Sequence, residues 1–157
     1  MYKRQGYDAY VRHAEPEGEL RPRSCTGGVF DLVKLPLVTL VDSLDALAIM
    51  GNSTEFQSAT QRIWHGFPQK FDFDVNVSVF ETTIRVLGGL LSGHLLAVDA
   101  SLNLTQNYDG ELLALALDLG DRLAPAFETP TSIPYGTVNL RYGIPVSYTH
   151  LTLPTKA

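Results

Sequence analysis

The segment from Val79 to Val98 constrains this chain most. Over those residues the only ionisable side chains are Glu81, Arg85 and His94, and leucine, valine and glycine supply most of the rest. Leu87, Leu90, Leu91, Leu95 and Leu96 are too dense for a lone edge strand, so the pattern predicts a buried helix starting near Asn76 or Ser78. On that helix Ser78, Glu81, Arg85, Gly88 and Ser92 fall at steps of three and four, one narrow stripe of polar and very small residues on an otherwise apolar cylinder. Two readings of the stripe stand side by side. Ser78-x-x-Glu81 has capping-box spacing, and Glu81 with Arg85 is an i,i+4 pair worth only about 0.2–0.5 kcal/mol when exposed. A helix apolar on nearly every other side nevertheless belongs in a core, where a carboxylate and a guanidinium need each other or a polar ligand. Gly88-Gly89 weakens the helix by roughly 1 kcal/mol per glycine, which close approach of a neighbour or ligand would justify.

The flanking sequence reads as further helices joined by short connections. Tyr7, Tyr10, Val11 and Ala14 are spaced as one face of a short amphipathic helix over 6–14, ended by Glu15-Pro16. Residues 17–28 read as a connection, and Pro36 sits in the first turn of a helix predicted from Leu37 to Met50. Thr54 is the expected N-cap of a helix over 55–65, with Phe56, Ala59, Ile63 and Trp64 facing inward. Residues 71–79 alternate as a strand would, in conflict with the helix expected to begin near Ser78. A fifth helix over 110–123 presents Leu112, Leu113, Ala116, Leu117 and Leu119, and 128–145 reads as a turn-rich connection or β-hairpin. Successive helices of this length predict an all-α fold built from helical hairpins.

Charge narrows the function classes. The chain carries 12 basic and 17 acidic residues, a net charge of −5, with no Lys/Arg cluster, so a nucleic-acid partner is not expected. Its longest apolar stretches are interrupted by Asp42, Asp45, Glu81 or Arg85, short of the roughly 18 apolar residues that a membrane-spanning helix needs. The termini 1–5 and 146–157 lack cap logic and helical period and resemble translated sequencing-adapter read-through; they are expected to be non-native tails on a partial domain over 6–145 that is truncated at both ends. Without Lys3, Arg4 and Lys156, 9 basic residues face 17 acidic ones.

Three sequons stand at Asn52-Ser53-Thr54, Asn76-Val77-Ser78 and Asn103-Leu104-Thr105, where shuffling five asparagines and 22 Ser and Thr residues would yield about 0.7. The excess favours a secretory-pathway protein, with ordinary polar turns as the alternative. Asp42 and Asp45, three residues apart on one helix, are either solvent-facing acids or part of a polar site. His13, His65, His94 and His150 share no ligand spacing, and no phosphate loop or nucleophile elbow is present.

The runs Gly6-Tyr7-Asp8-Ala9-Tyr10, Glu19-Leu20-Arg21-Pro22 with Cys25, Thr39 to Asp45, Phe71 to Val75, and above all Phe80-Glu81-Thr82-Thr83-Ile84-Arg85-Val86-Leu87-Gly88-Gly89-Leu90-Leu91 resemble glycoside hydrolase family 47, the class I α-1,2-mannosidases, and in particular its endoplasmic-reticulum degradation-enhancing group. Pro134 to Leu140 is similar too. The resemblance implies the N-terminal part of an (α/α)7 barrel and an inverting hydrolase that trims α-1,2-linked mannose from high-mannose N-glycans. It implies a lumenal place in the endoplasmic reticulum, where such trimming marks misfolded glycoproteins for disposal. It also implies a bound Ca2+ whose protein ligand lies beyond this chain. By resemblance Glu81 is catalytic, as general acid, and Arg85 and, less directly, Asp42 bind substrate. The remaining catalytic acids are expected beyond Pro145, so this chain alone should be inactive. Cys25 matches a cysteine of the group, which implies a disulfide with a segment farther along the protein or with a partner; a buried free thiol is the alternative. Two rival functions remain open: a non-hydrolytic mannose-binding receptor using the same pocket, and a helical scaffold in which Glu81 and Arg85 form a solvent-exposed pair.

Overall fold

The structure, a computed structural model, describes residues 4–144. The tail expected over 146–157, with His150, and most of that expected over 1–5 lie outside the described residues. Helix α1 (Gln5–His13) is followed by a short hairpin, β1 (Glu19–Arg21) with β2 (Thr26–Gly28), where the sequence reads as a plain connection. The helix predicted over 37–50 is divided at Ser43 into α2 (Val38–Asp42) and α3 (Leu44–Ile49). Leu37 precedes it in a left-handed conformation, φ 58°, so Pro36 lies outside the helix rather than in its first turn. α4 (Ser53–Gly66) starts one residue before Thr54, which is therefore a first-turn residue and not the cap; Trp64 remains 37 % exposed.

The conflict over 71–79 resolves into both states in sequence. β3 (Asn76–Ser78) pairs antiparallel with the distant β4 (Thr137–Asn139), and helix begins at the next residue. Ser78 is the switch, its Oγ accepting the Glu81 N–H at 3.3 Å as an N-cap. The helical run 79–98 comprises α5 (Val79–Glu81), a π-helical stretch (Thr82–Leu87) and α6 (Gly88–Val98). α7 (Glu111–Leu123) buries Leu112, Leu115, Ala116, Leu119 and Leu123, whereas Leu117, expected on that face, is exposed.

The helices form two hairpins side by side. α2–α3 folds back on α4, and 79–98 folds back on α7; α3 packs on α6 and α4 on α7. The two inner members run parallel, because Val41 and Leu44 of one meet Gly89 and Gly93 of the other in ascending order. A Cβ added at Gly93 would lie 2.6 Å from Leu44 Cδ1 and 3.0 Å from Leu112 Cδ1; one at Gly89 would lie 2.9 Å from Val41 Cγ1. The small residues thus let the inner helices approach closely. Among the described residues, the outward side of 79–98 leaves Phe80, Ile84 and Leu95 exposed.

Two polar networks attach the outlying segments. Arg62 on α4 binds Glu15 and Glu55, and Tyr7 donates to Glu55 Oε1 at 2.6 Å, which ties α1 to the first hairpin. Asp118 on α7 accepts from Phe71 N at 2.9 Å and from Arg122 Nε at 3.0 Å, and Arg122 Nη1 donates to Leu140 O at 2.7 Å. The 67–78 connection is thereby held against α7, with the Phe67 ring packed at a 38° tilt against Phe71, 4.6 Å between centroids.

Two consequences can be measured. Gly93→Val should lower the unfolding midpoint, the overpacking costing about 1–3 kcal/mol. Gly120→Ala, where a Cβ meets nothing within 4 Å, should raise stability by roughly 0.5–1 kcal/mol; thermal unfolding of both variants checks the contrast. Burial, aided by the hydrogen bond to Glu55, pushes the Tyr7 phenol up, and burial beside Glu15 does the same for Tyr10. Unfolded tyrosines lose their protons near pH of about 10, before these two, so their contribution to stability is whole below that pH and is lost as pH rises above it. Ultraviolet titration should show Tyr7 and Tyr10 ionising only with alkaline unfolding.

Candidate functional site

The parallel packing of the inner helices brings three of the polar residues singled out in the sequence together. Glu81 and Arg85 occupy consecutive turns, and Arg85 Nε donates to Glu81 Oε2 at 2.7 Å. Arg85 Nη1 donates across the helix interface to Asp42 Oδ2 at 3.3 Å, near the end of α2. The Phe30 ring lies beneath the guanidinium, 5.3 Å from its centroid to Cζ. The guanidinium is therefore held on three sides by two carboxylates and an aromatic face. The Glu81 hydrogen bond, reinforced by the charges of Glu81 and Asp42, raises the Arg85 pKa above its usual value. Arg85 stays cationic at any working pH.

Exposure grades across the cluster. The Glu81 side chain is 18 % exposed, Arg85 38 % and Asp42 47 %. Glu81 is thus the sheltered member, and the Arg85–Asp42 contact, open to solvent, is worth at most about 1 kcal/mol. A cluster so weakly self-stabilising at its outer edge keeps donor and acceptor capacity for a polar ligand.

Beside it opens a cavity of about 230 Å³, lined by Glu19, Phe30, Thr39, Asp42, Ser43 and Arg85 among others. Glu19 and Phe30 come from the β1–β2 hairpin and the loop after it, which dock on the start of α2: Thr39 N and Oγ1 both donate to Gly18 O, at 3.0 and 2.8 Å. Helical periodicity carries no sign of these two contributors, because neither lies in the stripe, although Glu19 opens one of the runs that carry the family resemblance. Their recognition depends on a long-range contact.

Asp45, the second carboxylate of the α2–α3 segment, accepts from Ser92 Oγ at 2.6 Å, one further step along the same interface. It braces the two helices and takes no place in the cavity lining. The stripe expected along 79–98 is also corrected at one position. The π-helical turn inserts an extra residue per turn, so Gly89 rather than Gly88 faces the neighbouring helix; a Cβ at Gly88 would meet only Thr83 O, at 3.4 Å. The capping box is half formed, since Ser78 caps Glu81 N while the Glu81 carboxylate turns to Arg85. Cys25 is exposed at the hairpin turn with φ 53°, which overturns the buried-thiol alternative. Among the described residues no group of three or more His, Cys, Asp or Glu side chains is arranged to hold a metal ion.

Arg85 and the carboxylates of Asp42 and Glu19 line a small cavity and can bind the hydroxyls of a neutral polar ligand; Glu81 is not part of that lining and is joined to it through Arg85. Comparison with known proteins accords with that chemistry. The sequence profile of glycosyl hydrolase family 47 matches residues 3–152. Alpha-mannosidase I MNS4 of Arabidopsis thaliana is 49 % identical over 139 residues, 88 % of this chain and 22 % of that protein. ER degradation-enhancing alpha-mannosidase-like protein 2 of Mus musculus is 45 % identical over 152 residues, 93 % of this chain and 25 % of its own length. The chain therefore spans about a quarter of the curated relatives it matches. In three dimensions it is similar to the alpha-1,2-mannosidase from Trichoderma reesei, with a TM-score of 0.68 at 29 % identity, over 88 % of this chain and 29 % of that one. The two parallel hairpins are accordingly part of an (α/α)7 barrel, and the chain belongs to glycosyl hydrolase family 47.

Proposed function

We propose that the protein containing this chain is an inverting α-1,2-mannosidase that trims high-mannose N-glycans on misfolded glycoproteins in the lumen of the endoplasmic reticulum. The observation that carries the reading is the convergence of Glu81, Arg85 and Asp42 from two helices distant in sequence. The names of the degradation-enhancing relatives and the three sequons support the location. The acidic balance of the chain suits a neutral sugar rather than a polyanion.

In this reading Glu81 is the general acid. Glycosidic cleavage needs a proton delivered to the departing oxygen while a second carboxylate, held roughly 6.5–9.5 Å away in an inverting enzyme, activates water. Glu81 engages Arg85 through Oε2 and keeps Oε1 for the ligand. Arg85 anchors a sugar hydroxyl and fixes the Glu81 rotamer, and Asp42 accepts from a second hydroxyl at the rim. The water-activating carboxylate belongs to the part of the barrel outside this chain, so 4–144 alone binds weakly and releases nothing. Cys25, exposed at its turn, is available for a mixed disulfide with a partner protein.

The test is release of free mannose from a high-mannose glycan by the whole protein. Glu81→Gln should lower kcat/KM by about 10²–10⁴-fold with folding intact, the usual contribution of a positioned acid. Arg85→Lys, which keeps the charge but loses the planar fork joining Glu81 to Asp42, should raise KM and lower kcat together. Glycan binding without mannose release by the wild type would instead make the protein a mannose-binding receptor.

A further inference from the structure

The three sequons occupy three different backbone settings. Asn52 leads directly into α4, so Ser53 and Thr54 belong to its first turn. Asn76 lies in β3, its Oδ1 accepting from Asn139 Nδ2 at 3.1 Å, and Ser78 of the same sequon uses its hydroxyl to cap Glu81 N. Asn103 sits in the loop between α6 and α7, exposed and left-handed at φ 46°, a conformation that asparagine tolerates better than most side chains. The loop around it is anchored. Leu104, 4 % exposed, enters the core and turns its neighbour outward, Thr105 Oγ1 donates to Ala97 O at 3.2 Å, and Asp99 accepts from Ser101 N and Oγ at 2.9 and 2.6 Å.

We infer that Asn103 is an N-glycosylation site, an acceptor presented at the tip of this anchored loop; the inference rests on the lumenal reading above. The donor class is an oligosaccharide carried on a lipid diphosphate. Asn103 Nδ2 forms a bond to C1 of the reducing-end N-acetylglucosamine, the bond from C1 to the phosphate oxygen breaks, and the lipid diphosphate leaves with the electron pair. One Nδ2 proton passes to a base of the transferring enzyme, and nothing is oxidised or reduced. Position favours the modification. The helical run 79–98 has Glu81 near its start and leads into this loop at its end, about 25 Å away along the axis at 1.5 Å per residue, so a glycan on Asn103 leaves the Glu81–Arg85–Asp42 cluster open.

The test uses the whole gene product with its own amino-terminal sequence and a carboxyl-terminal tag carrying an added Asn-Gly-Thr acceptor, expressed in a eukaryotic secretory host. After endoglycosidase H, mass spectrometry of the wild-type peptide spanning 99–110 should find Asn103 bearing one N-acetylglucosamine. Before digestion, Asn103→Gln and Thr105→Ala should each migrate faster than wild type by one glycan step, and Thr105→Ser should retain that step. A glycosylated tag with a bare Asn103 peptide would overturn the inference and leave the location standing. A bare tag together with a bare Asn103 peptide would overturn both.

Discussion

The close parallel packing of 79–98 on α2–α3 is the contact on which the rest of this structure depends. It requires small residues at two successive turns, and Gly89 against Val41 and Gly93 against Leu44 meet that requirement. Any Cβ there would push the helices apart. Because Asp42 and Arg85 sit on the same interface, the separation that the glycines set also sets the ion-pair distance; Asp45 and Ser92 repeat the bridge farther along. The helix-weakening cost of the glycines is offset by a site that only close approach can assemble.

The π-helical stretch has a complementary role. In a regular α-helix, at about 100° per residue, Gly88 and Gly89 would flank the line through Glu81, Arg85 and Ser92 on either side. With the turn between Thr82 and Leu87 widened, Gly89 rather than Gly88 meets Val41, on the side where Arg85 meets Asp42. Such insertions weaken a helix and recur at functional sites. Here the widened turn lies directly after Glu81, between the residue proposed as acid and the glycines that bring the neighbouring helix in.

Charged side chains fix the segments that surround this interface. The Arg62 cluster holds α1, and the Asp118–Arg122 pair holds the 67–78 connection whose last residue, Ser78, starts the central helix. The site therefore depends on contacts well outside its own lining. The apolar outward face of 79–98, with Phe80, Ile84 and Leu95 exposed, fits a chain that spans about a quarter of its relatives.

Much of this was legible in the sequence because it depends on local periodicity and on short runs of residues. The density of leucines after Val79 predicted the central helix, the spacing of Glu81 and Arg85 predicted their pairing, and the run around them carried the family. What periodicity cannot report is phase and partnership. The division of the helix at Ser43, the one-residue shift that replaced Gly88 by Gly89, the pairing of β3 with a strand sixty residues later, and the arrival of Glu19 and Phe30 beside Arg85 were decided by the tertiary structure. The physical reason is common to them: each is a choice among local conformations of similar energy, and the free energy that selects one comes from burial and hydrogen bonds to residues far away in the chain.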